Sequence, residues 1–118
     1  MKLRIFGRGR PAEADVSGAV ATAVAAVPGV HAHDVAYNHL QYSSGAISGV
    51  VDLADPEVFD QVLRAVHAAL ADQLGDDADR VVVYLSGRTP DGATTVPGDL
   101  ALPDRPTGRD LARRFRDR

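Results

Sequence analysis

Three of the four histidines lie close together in the sequence, and they are the side chains best suited to chemistry. His31 and His33 are two residues apart, and His39 follows six residues later. Side chains two residues apart on a strand share a face, so His31 and His33 would hold two imidazoles about 7 Å apart. Such a pair can bind a zinc-like ion together with a carboxylate, for which Asp52 is the candidate. The spacing therefore allows a metal site at His31, His33 and His39, with surface histidines as the alternative.

A catalytic site is the second chemistry that this region allows, and it would be centred on His39. Tyr37 and Asn38 directly precede this histidine, and hydroxyl groups lie nearby. The candidate nucleophiles are Ser43, Ser44 and Ser48. However, residues 44–49 lack the G-x-S-x-G spacing of a nucleophile elbow, and no phosphate-loop pattern occurs. The absence of cysteine excludes thiol nucleophiles, disulfides and thiolate metal sites. We therefore expect a protein without a cofactor and without catalytic activity.

The charges are divided unevenly along the chain. Residues 1–10 carry four basic side chains and no acid, and residues 11–87 carry two arginines against eleven acids. Residues 88–118 carry seven arginines against five aspartates. An acidic body repels the phosphate backbone, from which nucleic-acid-binding proteins draw most of their affinity. A nucleic-acid partner is therefore not expected, although both ends are basic.

The length and composition indicate one small domain. The chain has 118 residues, of which 45% are hydrophobic, and this suffices for a single core but not for two. It contains no run of about 18 apolar residues and no signal-peptide pattern behind its basic N-terminus. All but one of the 13 basic residues are arginine and alanine is abundant, which is typical of a GC-rich bacterial genome. We expect a soluble, cytoplasmic bacterial protein without a transmembrane segment.

Apolar periodicity and turn residues divide the chain into strands and helices. Asp55 is a good N-cap residue and Pro56 suits the first helical position, so the second helix is strongly marked. The predicted elements are a strand at residues 2–6, a helix at 12–27, a hairpin spanning 30–53, a helix from 55 to 74 and a strand at 81–85. This order predicts an α+β fold, a ferredoxin-like β-α-β-β-α-β sandwich with both helices on one face of a mainly antiparallel sheet.

The composition changes after Gly87. Residues 1–87 would form the single α+β domain. Because prolines and glycines then dominate, residues 88–118 are predicted to form an extended tail that ends in a short basic helix. A helix of about twelve residues is marginal in water, so this helix should fray unless it docks on another surface.

The register of the hairpin decides which side chains face the core. A two-residue loop at Ser44-Gly45 would place Tyr42 in the core and Tyr37 on the opposite face. We favour this register because it pairs larger apolar side chains across the hairpin. A three-residue loop would instead turn the odd-numbered side chains of the first strand toward the core and bury His39.

A sandwich of this kind leaves one sheet face without helices, and clustered apolar side chains on such a face usually mark a partner surface. We therefore expect a non-catalytic interaction module that forms a homodimer or binds a protein partner through this face, with the basic tail as an accessory arm. The predicted partner-binding residues are Val35, Tyr37, His39, Val50, Val82, Tyr84, Leu111 and Phe115. The alternatives are a metal-binding domain that uses the three histidines and a small enzyme with a site near His39.

One segment also resembles a known family. Val27-Pro28-Gly29-Val30, the pair His33-Asp34, a hairpin, a long helix and a closing strand together resemble the small cytoplasmic domain of cation-diffusion transporters. The resemblance covers residues 16–86. In that family the domain is a ferredoxin-like dimerisation unit that can bind metal, so the resemblance implies the same fold, dimerisation and metal binding.

Overall fold

The structure, a computed structural model, describes residues 12–39 and 45–116. Residues 2–6, where a first strand is predicted, lie outside the described residues. The elements in chain order are α1 (Glu13–Ala25), β1 (Val30–Asn38), β2 (Ala46–Leu53), α2 (Val58–Leu74), β3 (Val82–Arg88), β4 (Thr94–Thr95) and α3 (Gly108–Arg116). Short 3-10 helices precede β3 (Gly75–Arg80) and follow β4 (Pro97–Leu100). The protein therefore has a mixed α+β fold, as predicted.

The described strands form one sheet in the order β1-β2-β3-β4. β1 and β2 are antiparallel, β2 and β3 are parallel, and β3 and β4 are antiparallel. In a ferredoxin-like sandwich the βαβ unit is split, because another strand lies between its two parallel strands. Here β2 and β3 are direct neighbours joined by α2, so the described sheet does not confirm the predicted ferredoxin-like order.

α2 packs an apolar stripe onto the sheet, as its sequence predicts. Asp55 closes the turn before the helix, because its carboxylate accepts a hydrogen bond from the main-chain N–H of Glu57 at 3.0 Å. Each fully buried aliphatic or aromatic side chain contributes about 1.5–3 kcal/mol relative to exposure. The buried residues are Val58, Phe59, Val62, Leu63, Val66 and Leu70 in α2 and Val16, Val20 and Val24 in α1. Because both stripes belong to one core with the inward side chains of the strands, the two helices cover the same face of the sheet.

The hairpin has the opposite register from the one that the sequence favours. Tyr37 pairs with Ile47, and Asn38 pairs with Ala46. This pairing turns the odd-numbered side chains of β1 toward the helices, as the three-residue loop would, and buries Tyr37 to 3% exposure. The favoured register is wrong because the ring of Tyr37 finds room in the core in the observed pairing. Gly45 makes room for this ring, since a Cβ there would lie 2.6 Å from it.

The C-terminal segment packs onto the domain. The main-chain N–H of Val83 donates to the carbonyl of Pro106 at 2.7 Å, and the N–H of Gly108 donates to the carbonyl just before β3 at 2.9 Å. α3 then places Leu111, which is fully buried, in the same core as the other two helices. The predicted basic helix therefore forms and docks, and the packed core continues beyond the predicted domain boundary at residue 87.

The contact between α2 and α3 makes stability depend on pH through His67. Its ring centroid lies 6.3 Å from that of Phe115. Burial lowers the pKa of His67 from its ordinary value of 6.5, and the nearby carboxylate of Asp79 opposes this shift. Because the folded protein binds this proton less readily than the unfolded chain does, the free energy of unfolding is largest above pH 6.5 and decreases as the pH falls below it.

We therefore expect a smaller loss of stability on acidification in His67→Gln than in the wild type. Urea unfolding followed by circular dichroism between about pH 7.5 and 5 measures the difference, with the exposed-residue variant His33→Gln as the control. A wild type and a His67→Gln variant with the same pH dependence would contradict this expectation.

Candidate functional site

The histidines do not assemble into a metal site. His31 and His33 are exposed on β1, and a β-bulge at the start of this strand interrupts the alternation that would align their side chains. His39 lies past the end of β1, where its Nδ1 is 3.2 Å from the carboxylate of Glu13. In the part of the chain that the structure describes, no three His, Cys, Asp or Glu side chains are grouped so that they could hold a metal ion. The geometry gives the metal hypothesis no support.

The residues proposed for catalysis are also separated. Tyr37 is buried, and its main-chain N–H donates to the hydroxyl of Ser17 on α1 at 2.7 Å. Ser48 is exposed on the other face of the sheet, opposite Ala36, whereas the contact of His39 is with Glu13 on the helix side. The two other candidate serines, at positions 43 and 44, lie outside the described residues. The described candidates therefore form no catalytic arrangement around His39.

The residues predicted to bind a partner do not share one surface. Four members of the set lie in the core or pack against it, namely Val35, Tyr37, Leu111 and Phe115. His39 contacts Glu13, and Val82 is half-buried. Val50 and Tyr84 remain, and both are exposed on the helix-free face. The corrected register thus moves the candidate surface away from β1 and centres it on β2 and β3.

A groove lies on this face, where β2 and β3 pass beside residues 94–105. Its volume is about 640 Å³, which falls within the range of ligand sites in proteins. Three large apolar side chains are exposed among the described residues, and all three line this groove. Their exposed fractions are 38% for Val50, 56% for Tyr84 and 40% for Val96. Because exposed apolar area usually marks a binding surface when it is concentrated in one place, this groove is the candidate functional site.

The groove exists because the chain pairs with the edge of β3 only briefly, in β4, and then turns away from it. β4 is only two residues long. After it, Leu100 and Leu102 pack against the core. Arg114 on α3 holds this segment by donating to the carbonyl of Leu100 at 2.9 Å and to the carboxylate of Asp60 at 2.7 Å. The segment is therefore drawn toward the helices, and the opposite side of the β3 edge stays uncovered.

The polar groups of the groove suit binding. The hydroxyl-bearing residues Ser48, Ser86 and Thr94 line it. The guanidinium of Arg105 lies over the ring of Tyr84, 5.2 Å from the centroid, and such a contact contributes about 0.5–1 kcal/mol at an exposed site. Among the described residues, no carboxylate forms an ion pair with Arg105. The groove thus offers apolar walls, hydroxyl groups, the guanidinium of Arg105 and the carboxylate of Asp104.

One wall of the groove was missed by the sequence analysis. Val96 and Arg105 come from the segment that was predicted to be an extended tail. The sequence carries a weak signal for this wall, because Val96 stands alone between polar and proline residues where a solvated loop needs no branched apolar side chain. Val50, which also lines the groove, is distant in sequence, so the shared site can be recognised only once the sheet is known.

Comparison with known proteins gives no further identification. No family model, no curated protein and no solved structure matches this chain. The resemblance to cation-diffusion transporters therefore stays a prediction. Among the helices that the structure describes, none has the length and apolar character needed to cross a lipid bilayer.

Proposed function

We propose that this protein is a non-catalytic interaction module that holds a segment of a partner protein in the groove on the helix-free face. The observation that carries the proposal is the placement of all three exposed large apolar side chains of the described residues in this one groove. Their burial by a bound segment would remove apolar area from water, which is the main source of affinity in such contacts.

The shape of the site favours a partner over a second copy of the same groove. A symmetric dimer requires one patch to be complementary to itself. A concave surface meeting its own copy leaves a cavity, whereas an inserted chain segment fills it. The groove also carries a single arginine beside the aspartate Asp104, and this charge balance does not favour a nucleic-acid backbone.

A peptide selection with matched variants tests the proposal. A random peptide library is selected on the folded wild-type protein, and the affinities of the enriched peptides are measured by calorimetry. The groove variant Val50→Asp, Tyr84→Ser should weaken binding at least about tenfold, because a charge replaces one apolar contact and the largest exposed ring is lost. The control variant Gln61→Ser, Ala68→Asp changes exposed positions on α2 and should bind as the wild type does.

Two outcomes would contradict the proposal. Either no peptide is enriched above background, or the enriched peptides bind the groove variant and the wild type equally well. Light scattering on the same samples tests the predicted homodimer separately. A dimer that becomes monomeric in the groove variant would show that a second copy, and not a partner segment, occupies this face.

A further inference from the structure

The outer edge of β3 shows which main-chain groups face the groove. Hydrogen-bonding groups alternate between the two sides of a strand. The N–H of Val82 donates to the carbonyl of Gly45 on the β2 side at 3.1 Å, whereas the N–H of Val83 donates outward to Pro106 and that of Thr89 donates outward to Ala93. The odd-numbered residues of β3 therefore direct their main-chain groups away from β2.

Leu85 lies in a gap of this outer edge. On one side of it, the bridge between Val82 and Thr107 pairs the edge, and on the other side Gly87 pairs with Thr95. Between these two pairings, the outward N–H and C=O of Leu85 have no hydrogen-bond partner among the residues that the structure describes. The side chain of Leu85 is buried in the core at 3% exposure, so this residue lines the groove with its main chain.

We infer that the bound segment is an extended peptide that adds to β3 through main-chain hydrogen bonds to Leu85. This inference rests on the proposed function and names the form of the partner. An N–H and a C=O on the same edge match the alternating donor and acceptor of an extended chain, which is the basis of recognition by strand addition. The opening from Val83 to Gly87 spans about 13 Å at strand rise, which admits about three residues of peptide.

Charge defines the chemistry of the bound segment further. Arg105 has no carboxylate partner within ion-pair distance among the described residues, although Asp104 also lines the groove, and its guanidinium lies over the ring of Tyr84. The proposed peptide therefore carries one Asp or Glu side chain that pairs with Arg105. The neighbouring apolar side chain of the peptide contacts Tyr84 and Val96. The partner is therefore a protein with an exposed, extended segment in which an acidic residue lies next to an apolar one.

Hydrogen exchange tests the main-chain pairing. With a peptide selected as described above bound to the full chain, exchange of the Leu85 amide should slow at least about tenfold. The Val83 amide, which already donates to Pro106, is the internal control and should change little. N-methylation of the peptide residue that faces Leu85 should weaken binding about tenfold, whereas N-methylation at the peptide ends should not.

The acidic preference has its own test. Arg105→Gln should weaken binding of an acidic peptide about tenfold and leave its Glu→Gln analogue unaffected. Arg109→Gln, at an exposed position on α3, is the control. A basic peptide with the sequence of residues 1–11 of this chain should bind more weakly than the acidic peptide, and tighter binding would overturn the acidic preference.

The outcomes separate this inference from the proposed function. If the peptides depend on Val50 and Tyr84 but leave the Leu85 amide unprotected and tolerate N-methylation at every position, strand addition is wrong and the groove remains the binding site. If binding does not depend on the groove at all, both proposals fail together.

Discussion

Replacing Gly49 with alanine is expected to destabilise the protein by about 3 kcal/mol or more, a large share of the stability of a small domain. Gly49 has a φ of 146°, and a Cβ at this position would lie 1.8 Å from the carbonyl oxygen of Asp34 on the neighbouring strand. Neither the left-handed backbone nor this approach tolerates a side chain. β1 and β2 would have to separate at Gly49, which lines the groove.

The same substitution at Gly18 is the matched control. Gly18 lies inside α1, and a Cβ there has no atom within 4 Å. Because alanine favours a helix interior over glycine, Gly18→Ala should raise the free energy of unfolding by about 0.5–1 kcal/mol. Urea unfolding of both variants by circular dichroism provides the measurement. A loss at Gly49 below about 1 kcal/mol would show that the strands relax around the added methyl group.

Tyr37→Ser is expected to cost about 3–5 kcal/mol of stability, which is the usual effect of truncating a buried aromatic side chain. Tyr37 is 3% exposed and belongs to the core between the sheet and the helices. The register that the sequence favours predicts a different result. It places Tyr37 on the helix-free face, where the loss of the ring would weaken association without unfolding the protein.

Tyr84→Ser makes the identical change on the other face of the same sheet. Tyr84 is 56% exposed, so its replacement should change the free energy of unfolding by less than about 1 kcal/mol. Equal losses of stability in the two variants would show that the hairpin register is not the one described. The pair therefore separates stability from binding, because Tyr84 is expected to contribute mainly to the latter.

Local sequence signals predicted the elements in which propensity and apolar periodicity within the segment are sufficient to define the structure. α2 has a continuous apolar stripe, and the structure confirms a helix that ends at Leu74. It begins at Val58 with Glu57 at the N-cap position, so Asp55 and Pro56, predicted as N-cap and first helical residue, lie in the turn before it. The β-branched run that forms β3 was also confirmed, with Val83 and Leu85 facing inward. In these elements, propensity and periodicity point to the same answer, so no distant contact is needed to choose between alternatives.

The hairpin and the sheet order depend on contacts that the sequence does not state. Which side chains of β1 face the core is decided by the space available to Tyr37. Gly45 leaves room for its ring and Ser17 accepts its main-chain N–H, and both residues lie outside β1. A split and an unsplit βαβ unit differ only in which strands are neighbours in the sheet. The hydrophobic pattern of the strands is the same in the two arrangements, so the sequence does not distinguish them.

The candidate site was predictable only in outline. A helix-free sheet face with Val50 and Tyr84 on it follows from alternation, and the structure confirms the exposure of both. The depth of the groove and the gap at Leu85 arise from the path of residues 94–107. This path is set by the burial of Leu111 and by main-chain pairing with Pro106, and neither leaves a periodic signature in a segment rich in proline and glycine.

The chain between Thr95 and Pro106 is hydrogen-bonded to β3 at both ends, because Thr95 pairs with Gly87 and the carbonyl of Pro106 accepts from Val83. The loop between these two anchors can therefore change in length without loss of either pairing. Lengthening a loop whose ends are held costs little conformational entropy, about 0.6 kcal/mol for each doubling of the loop length. Insertions or deletions between these anchors would reshape one wall of the groove while leaving the ladder and the helices in place. A change of loop length alone would therefore alter the shape of the groove without changing the rest of the fold.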